Sequence, residues 1–193
     1  MVDNASFRES QFKKTVDLVF VGRILRSKGI FVLAEALENI SEMGIKLKVV
    51  IVGDGVDLAS LRAHLDPLDS IDVSYAGVQI GKGLASILAQ SRILVFPSTT
   101  HPEGMGLVAA EAMMFAVPVI GADQPAIREV VGDAGIMTRL GDSFSLSTAV
   151  TNVLSNEALQ KRLSISALER SKSFLLPEFN EKLASIFTKI DSQ

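Results

Sequence analysis

Two carboxylates, Glu103 and Glu111, lie eight positions apart around the turn Gly104-Met105-Gly106, just after the apolar stretch that closes on Phe96-Pro97-Ser98. Glu111 is the single charged residue in the run 107–122. A carboxylate among apolar neighbours must find partners, because an unpaired buried charge is strongly unfavourable. Glu103 precedes the turn. There the backbone amides of Gly104, Met105 and Gly106, together with the dipole of a following helix, favour electron-rich ligand atoms. Two carboxylates and a row of amides suit a ligand with many hydroxyls, such as a sugar. The competing reading leaves Glu103 on the surface and turns Glu111 to solvent between Val108 and Met114, the usual fate of a helical glutamate.

A second group of residues, Gly22-Arg23-Ile24-Leu25-Arg26-Ser27-Lys28-Gly29, sits between an apolar strand pattern and a helical one. The planar fork of Arg23, the mobile ammonium of Lys28 and the N–H groups of a helix start together make a phosphate site. The spacing matches neither a Walker loop nor a G-x-G-x-x-G fingerprint, which argues against ATP and NAD. Solvated loop charges are the alternative. Gly53-Asp54-Gly55 reads first as an ordinary turn, although its small residues would also admit a ligand close to the backbone. Gly77-Val78-Gln79 offers backbone groups to a base pocket. His101, alone in a loop beside Pro102, reads as incidental, and Glu129 as a residue that caps or pairs locally.

The elements that must position these residues follow from hydrophobic period. Strands are predicted over 17–21, 47–52, 71–76, 93–96, 117–120 and 135–137, the last at a sheet edge. Helices are predicted over 28–43, 58–65, 84–90, 106–115 and 125–131. From residue 143 onward the chain reads as helical, with breaks near Asn156 and Pro177, and with a tail over 174–190 that packs on this domain or on something outside it. In the helix over 28–43, Ile30, Leu33, Ala34 and Leu37 fall on one face. Strands apolar on both faces, alternating with helices, imply an α/β fold with a mainly parallel sheet of about six strands between helical layers. Ligands in such folds bind outside the carboxyl ends of the strands.

Bulk properties agree. The 193 residues suffice for one well-buried domain, and 48% hydrophobic residues indicate a compact core. The chain has no cysteine, so it has no disulfide framework or thiolate chemistry, and two histidines make a histidine-built metal site improbable. A net charge of -3 gives no reason to expect nucleic acid. No apolar segment is long and clean enough to span a bilayer, residues 4–14 lack a secretory pattern, and a cytoplasmic location is expected.

Taken in order, these pieces resemble the C-terminal domain of retaining glycosyltransferases of GT-B fold, the large family 4 or group 1. The resemblance runs over about 19–155 and rests on several fragments: Val21-Gly22-Arg23 with Lys28-Gly29, Val52-Gly53-Asp54-Gly55, Tyr75-Ala76-Gly77-Val78 and Phe96-Pro97-Ser98. Its most specific part is Glu103-Gly104-Met105-Gly106-Leu107-Val108 with Glu111-Ala112-Met113, then Pro118-Val119-Ile120 and Glu129; Ser173-Phe174 extends it into the tail.

The resemblance implies a Rossmann-like three-layer domain that binds a nucleotide-diphosphate sugar built on UDP, GDP or ADP. It implies that Arg23 and Lys28 hold the diphosphate, that Glu111 accepts from the ribose hydroxyls, and that Val78 lies near the base. Glu103, with the catalytic role, and Gly104, Met105, Gly106 and Leu107 would meet the donor sugar. Met105 stands where phenylalanine is most usual, which alters packing on the sugar side but leaves backbone contacts. No cofactor and no metal are expected, since the nucleotide sugar is a substrate. The chain is expected to be a single domain, 1–193, with the N-terminal acceptor-binding domain absent. Its partners would be the donor and that missing domain, with peripheral membrane association open to the full-length protein. The isolated domain is expected to be inactive. The alternative is a non-catalytic nucleotide-sugar-binding module acting with a partner chain.

Overall fold

The computed structural model describes residues 13–99 and 106–174. Among these, six strands form one sheet in the order β3-β2-β1-β4-β5-β6, with every neighbouring pair parallel. The strands are β1 (Val16–Val21), β2 (Leu47–Val52), β3 (Ile71–Gly77), β4 (Ser91–Phe96), β5 (Val119–Ala122) and β6 (Gly135–Thr138). The helices are α1 (Ile30–Glu42), α2 (Leu58–Leu65), α3 (Gly81–Gln90), α4 (Leu107–Met113), α5 (Pro125–Val131), α6 (Ser143–Ser155) and α7 (Glu157–Ser171). Strand order reverses at β1, so the crossover helices leave from opposite faces on either side of the β1–β4 pair.

Two apolar layers flank the sheet, and β1 shows how the sequence separates them. Leu18 and Phe20 join the layer made with α1, α2 and α6, whereas Val19 joins the layer with α3, α4 and α5. That is the period of two expected for a strand buried on both faces. Ile30, Leu33, Ala34, Leu37 and Ile40 of α1 are all buried, the stripe that helical spacing requires. The break near Asn156 is real. Its side chain accepts from Leu159 N at 2.9 Å and caps α7, as Asp142 caps α6 by accepting from Ser145 N at 2.8 Å.

Five elements differ from the sequence reading by two residues or more, among them α4, which ends at Met113 and not at residue 115. The first helix is split: Arg26–Lys28 forms a 3-10 turn, and Gly29, at φ 72°, separates it from α1. β4 begins at Ser91, because its polar residues are satisfied inside the fold. Ser91 Oγ donates to Ile87 O at 2.7 Å, while Arg92 reaches Asp17 at 3.2 Å and Gln160 at 2.8 Å. α3 begins at Gly81, a turn before the apolar pattern announces it, since Gly81 and Gly83 weaken the helical signal. β5 lies two residues further on, over Gly121 and Ala122. There a glycine is needed, because a Cβ at Gly121 would stand 2.8 Å from the Ile127 side chain of α5. The tail over 175–193 lies outside the described residues.

Candidate functional site

The carboxyl ends of β1 and β4 open on a cavity of about 550 Å3. Arg23 and Lys28 stand on its wall from the β1–α1 connection, and Gly106, Leu107, Val108 and Glu111 from the start of α4. Two sequence fragments more than 75 positions apart therefore meet at one place, the point where strand order reverses.

The loop that carries Arg23 is fixed from the β2 side. Ile24 N donates to Asp54 O at 2.8 Å, Gly22 N to Val52 O at 3.0 Å, and Arg26 N to Asp57 Oδ2 at 2.8 Å. This contact explains the Gly-Asp-Gly turn. A Cβ at Gly53 would lie 1.9 Å from Gly22 O, and one at Gly55 would lie 2.2 Å from Ile24 O. The backbone that approaches so closely is the Arg23 loop.

The turn that carries Lys28 is fixed from the β4 side. Thr99 N donates to Ser27 O at 3.0 Å, and Ser98 Oγ donates to the same carbonyl at 3.2 Å. Gly29 presses on Pro97 so tightly that a Cβ there would sit 1.8 Å from Pro97 O. Cationic side chains are thus delivered by a loop whose backbone is held at both ends.

α4 presents Glu111 by simple helical spacing. Ala109, Ala110, Ala112 and Met113 are buried against the sheet and neighbouring helices, which leaves Leu107, Val108 and Glu111 on the cavity face. Glu111 is half-buried, and its carboxylate has no hydrogen-bond partner among the described residues. Burial pushes its pKa above the usual carboxylate value. The helix ends on Ala116 at φ 54°, with Val117 N bonded to Ala112 O at 3.2 Å and Ala116 N to Met113 O at 3.0 Å. That is a Schellman ending built on alanine where glycine is the unstrained choice. Lys14 adds its ammonium to the same helix end, donating to Phe115 O at 3.3 Å, and burial lowers its pKa to about 8.

Arg23, Lys28, Gly106, Leu107 and Glu111 are therefore brought together. Val78 is not on the cavity wall; it is 70% exposed just beyond β3. Glu103, Gly104, Met105 and His101 lie outside the described residues. Glu129 is exposed on α5, and the group it uses is its carbonyl oxygen, which accepts from the Arg170 guanidinium. Leu84 of α3 lines the cavity without having been singled out in the sequence. Its side chain is one apolar residue among several, and only the fold aims it there. Among the described residues no cluster of three or more metal-ligating side chains occurs, and no helix is long and apolar enough to cross a membrane.

Known proteins with this sequence pattern and fold are numerous. The family model described as "Glycosyl transferases group 1" matches residues 2–170. A phosphatidyl-myo-inositol mannosyltransferase of Mycobacterium leprae is 30% identical over 164 residues, which cover 83% of this chain and 42% of that protein. An uncharacterized glycosyltransferase of Methanocaldococcus jannaschii is 28% identical, over 81% of this chain and 43% of its own length. The chain thus spans less than half the length of these relatives. Among solved structures, Anabaena Alr3699/HepE in complex with UDP and glucose superposes with a TM-score of 0.76 at 21% identity, over 91% of this chain and 49% of that one. The C-terminal domain of a glycosyl transferase group 1 family protein (LpcC) from Francisella tularensis gives a TM-score of 0.71 at 20% identity. That match covers 88% of this chain and 90% of that domain.

Proposed function

Because the chain belongs to the group 1 glycosyl transferases, we propose that it is the donor-binding domain of a retaining enzyme that moves a sugar from a nucleotide-diphosphate sugar to an acceptor. The observation that carries this reading is the convergence of Arg23, Lys28 and Glu111 on one cavity of about 550 Å3, a volume in the range of small-ligand sites. Two cations suit a diphosphate, which they bind by charge-assisted hydrogen bonds. A half-buried carboxylate with no hydrogen-bond partner among the described residues suits a vicinal diol, whose two hydroxyls donate to it as ribose hydroxyls do.

Each end of the ligand then has a stated partner. Arg23 and Lys28 hold the phosphates, Glu111 the ribose, and Gly106 and Leu107 border the sugar. Glu103, Gly104 and Met105 are assigned to the sugar side by their place in the sequence, with Glu103 in the catalytic role, and Val78, which stands off the cavity wall just beyond β3, to a base that extends past that wall. The donor's negative charge is met by side chains, so binding is proposed to need neither metal nor cofactor. The acceptor and the opposite wall of the cleft belong to a further domain of the same enzyme, in a cytoplasmic protein. Such chemistry depends on holding donor and acceptor in one oriented geometry, so the 193-residue chain binds donor without turning it over.

The test is a calorimetric screen of the purified chain against UDP, GDP and ADP and their sugar conjugates, with and without chelator. Saturable binding of at least one nucleoside diphosphate that survives the chelator supports the reading. No binding by any of them, or binding that vanishes with the chelator, refutes it.

A further inference from the structure

One buried polar side chain stands out because only half of its amide is satisfied. Gln124 lies between β5 and α5 and is 1% exposed. Its Nε2 donates to Ser98 O, while its Oε1, equally buried, has no hydrogen-bond partner among the described residues. The orientation is forced, since the opposite amide flip would set two oxygens against each other. A buried acceptor without a donor is destabilising; an apolar side chain of the same length would remove that acceptor, but would also take the amide donor away from Ser98 O. The carboxamide is also unused as a cap, although Gln124 occupies the residue before α5.

What the side chain holds is Ser98. Ser98 is itself buried, lines the cavity, and passes the contact on, because its Oγ donates to Ser27 O at 3.2 Å in the turn that carries Lys28. A chain of two hydrogen bonds therefore runs from the start of α5, through the cavity wall, to the turn with the cationic side chain. We propose that Gln124 is a positioning residue of the donor site: it fixes Ser98, and through Ser98 the Lys28 turn, for the diphosphate. This rests on the donor-site reading above. Gln124 is separated from the proposed ligand by the wall it braces, so its effect is on the phosphates that Lys28 meets and not on the nucleoside.

The experiment pairs Gln124→Met, which keeps length and volume, with Ser98→Ala and the double variant. Each is titrated with a nucleoside diphosphate and with the corresponding nucleoside, and each is unfolded in urea. One neutral hydrogen bond sets the expected size. Gln124→Met weakens the diphosphate about threefold to tenfold, leaves the nucleoside unchanged, and moves the urea midpoint little, because removal of the orphaned Oε1 offsets the donor lost by Ser98 O. The double variant loses no more than the larger of the single losses, because both act along one chain of contacts. If Gln124→Met fails to fold, or loses stability with diphosphate affinity intact, the side chain is structural and the proposal is overturned. Additive losses overturn it as well. If the parent chain binds no nucleoside diphosphate, the donor-site reading falls and this inference with it. If the parent binds and Gln124→Met binds equally, this inference alone falls.

Discussion

Glu111→Gln separates the function of a residue from its contribution to folding. In the free domain the Glu111 carboxylate is half-buried on the cavity face of α4, and burial raises its pKa. The folded protein therefore holds that proton more tightly than the unfolded chain does. Stability is then highest below the usual glutamate pKa and falls as pH rises through the raised folded value. Glutamine has nearly the same shape and no charge, so the variant is more stable at neutral pH and lacks this slope. Binding moves the other way. A hydrogen bond to a charged acceptor contributes about 1.5–3 kcal/mol against about 0.5–1.5 kcal/mol for a neutral one. With one or two ribose hydroxyls donating, Glu111→Gln weakens a nucleoside diphosphate about fivefold to thirtyfold. Urea unfolding between pH 4 and pH 8 (the arms of about that range bracket a raised carboxyl) and calorimetry at pH 7.5 or so read the two effects. A variant that is less stable than the parent at neutral pH, or that binds equally well, refutes the reasoning.

Three further substitutions test how the site is held. Ala116→Gly relieves the left-handed residue that ends α4 and is expected to stabilise the chain by about 0.5–1 kcal/mol, seen as a higher urea midpoint. Gly29→Ala sets a methyl 1.8 Å from Pro97 O at a φ of 72°. It is expected to cost more than about 2 kcal/mol of stability and to lower diphosphate affinity by displacing the Lys28 turn. For Lys14, with its pKa lowered to about 8, the sign is reversed. The unfolded chain binds the proton more tightly, so stability rises as pH climbs from about 8 toward the ordinary lysine value. Lys14→Met removes that rise, and equilibrium unfolding at pH 7, 9 and 10 or thereabouts measures it.

The parts of the fold legible in the sequence were those that burial alone decides. β2, α2 and α5 fall on the predicted residues, and β1, β3 and β6 within a residue of them, because their apolar runs are bounded by glycine or polar turns. What stayed hidden depended on distant partners. Ser91 and Arg92 look unlike sheet residues until α3, Asp17 and Gln160 are in place to satisfy them. Gly53 and Gly55 announce a turn, but their purpose appears only when the Arg23 loop is found against them. Arg23, Lys28 and Glu111, which the fold brings to one cavity, were legible as candidates because charge beside apolar runs is conspicuous. Gln124 and Ser98 were not, since a lone polar residue gives no period and its burial is settled by neighbours far away in sequence.

The central claim is that one cavity holds the two ends of one nucleotide, with cations at the phosphates and a carboxylate at the ribose. Titrating the parent, Arg23→Ala and Glu111→Ala each with a nucleoside and with its diphosphate tests it most directly. Arg23→Ala is predicted to weaken the diphosphate about tenfold to a hundredfold and leave the nucleoside unchanged, whereas Glu111→Ala weakens both by a similar factor. Equal losses for the two ligands in Arg23→Ala, or an intact affinity in Glu111→Ala, would contradict the account.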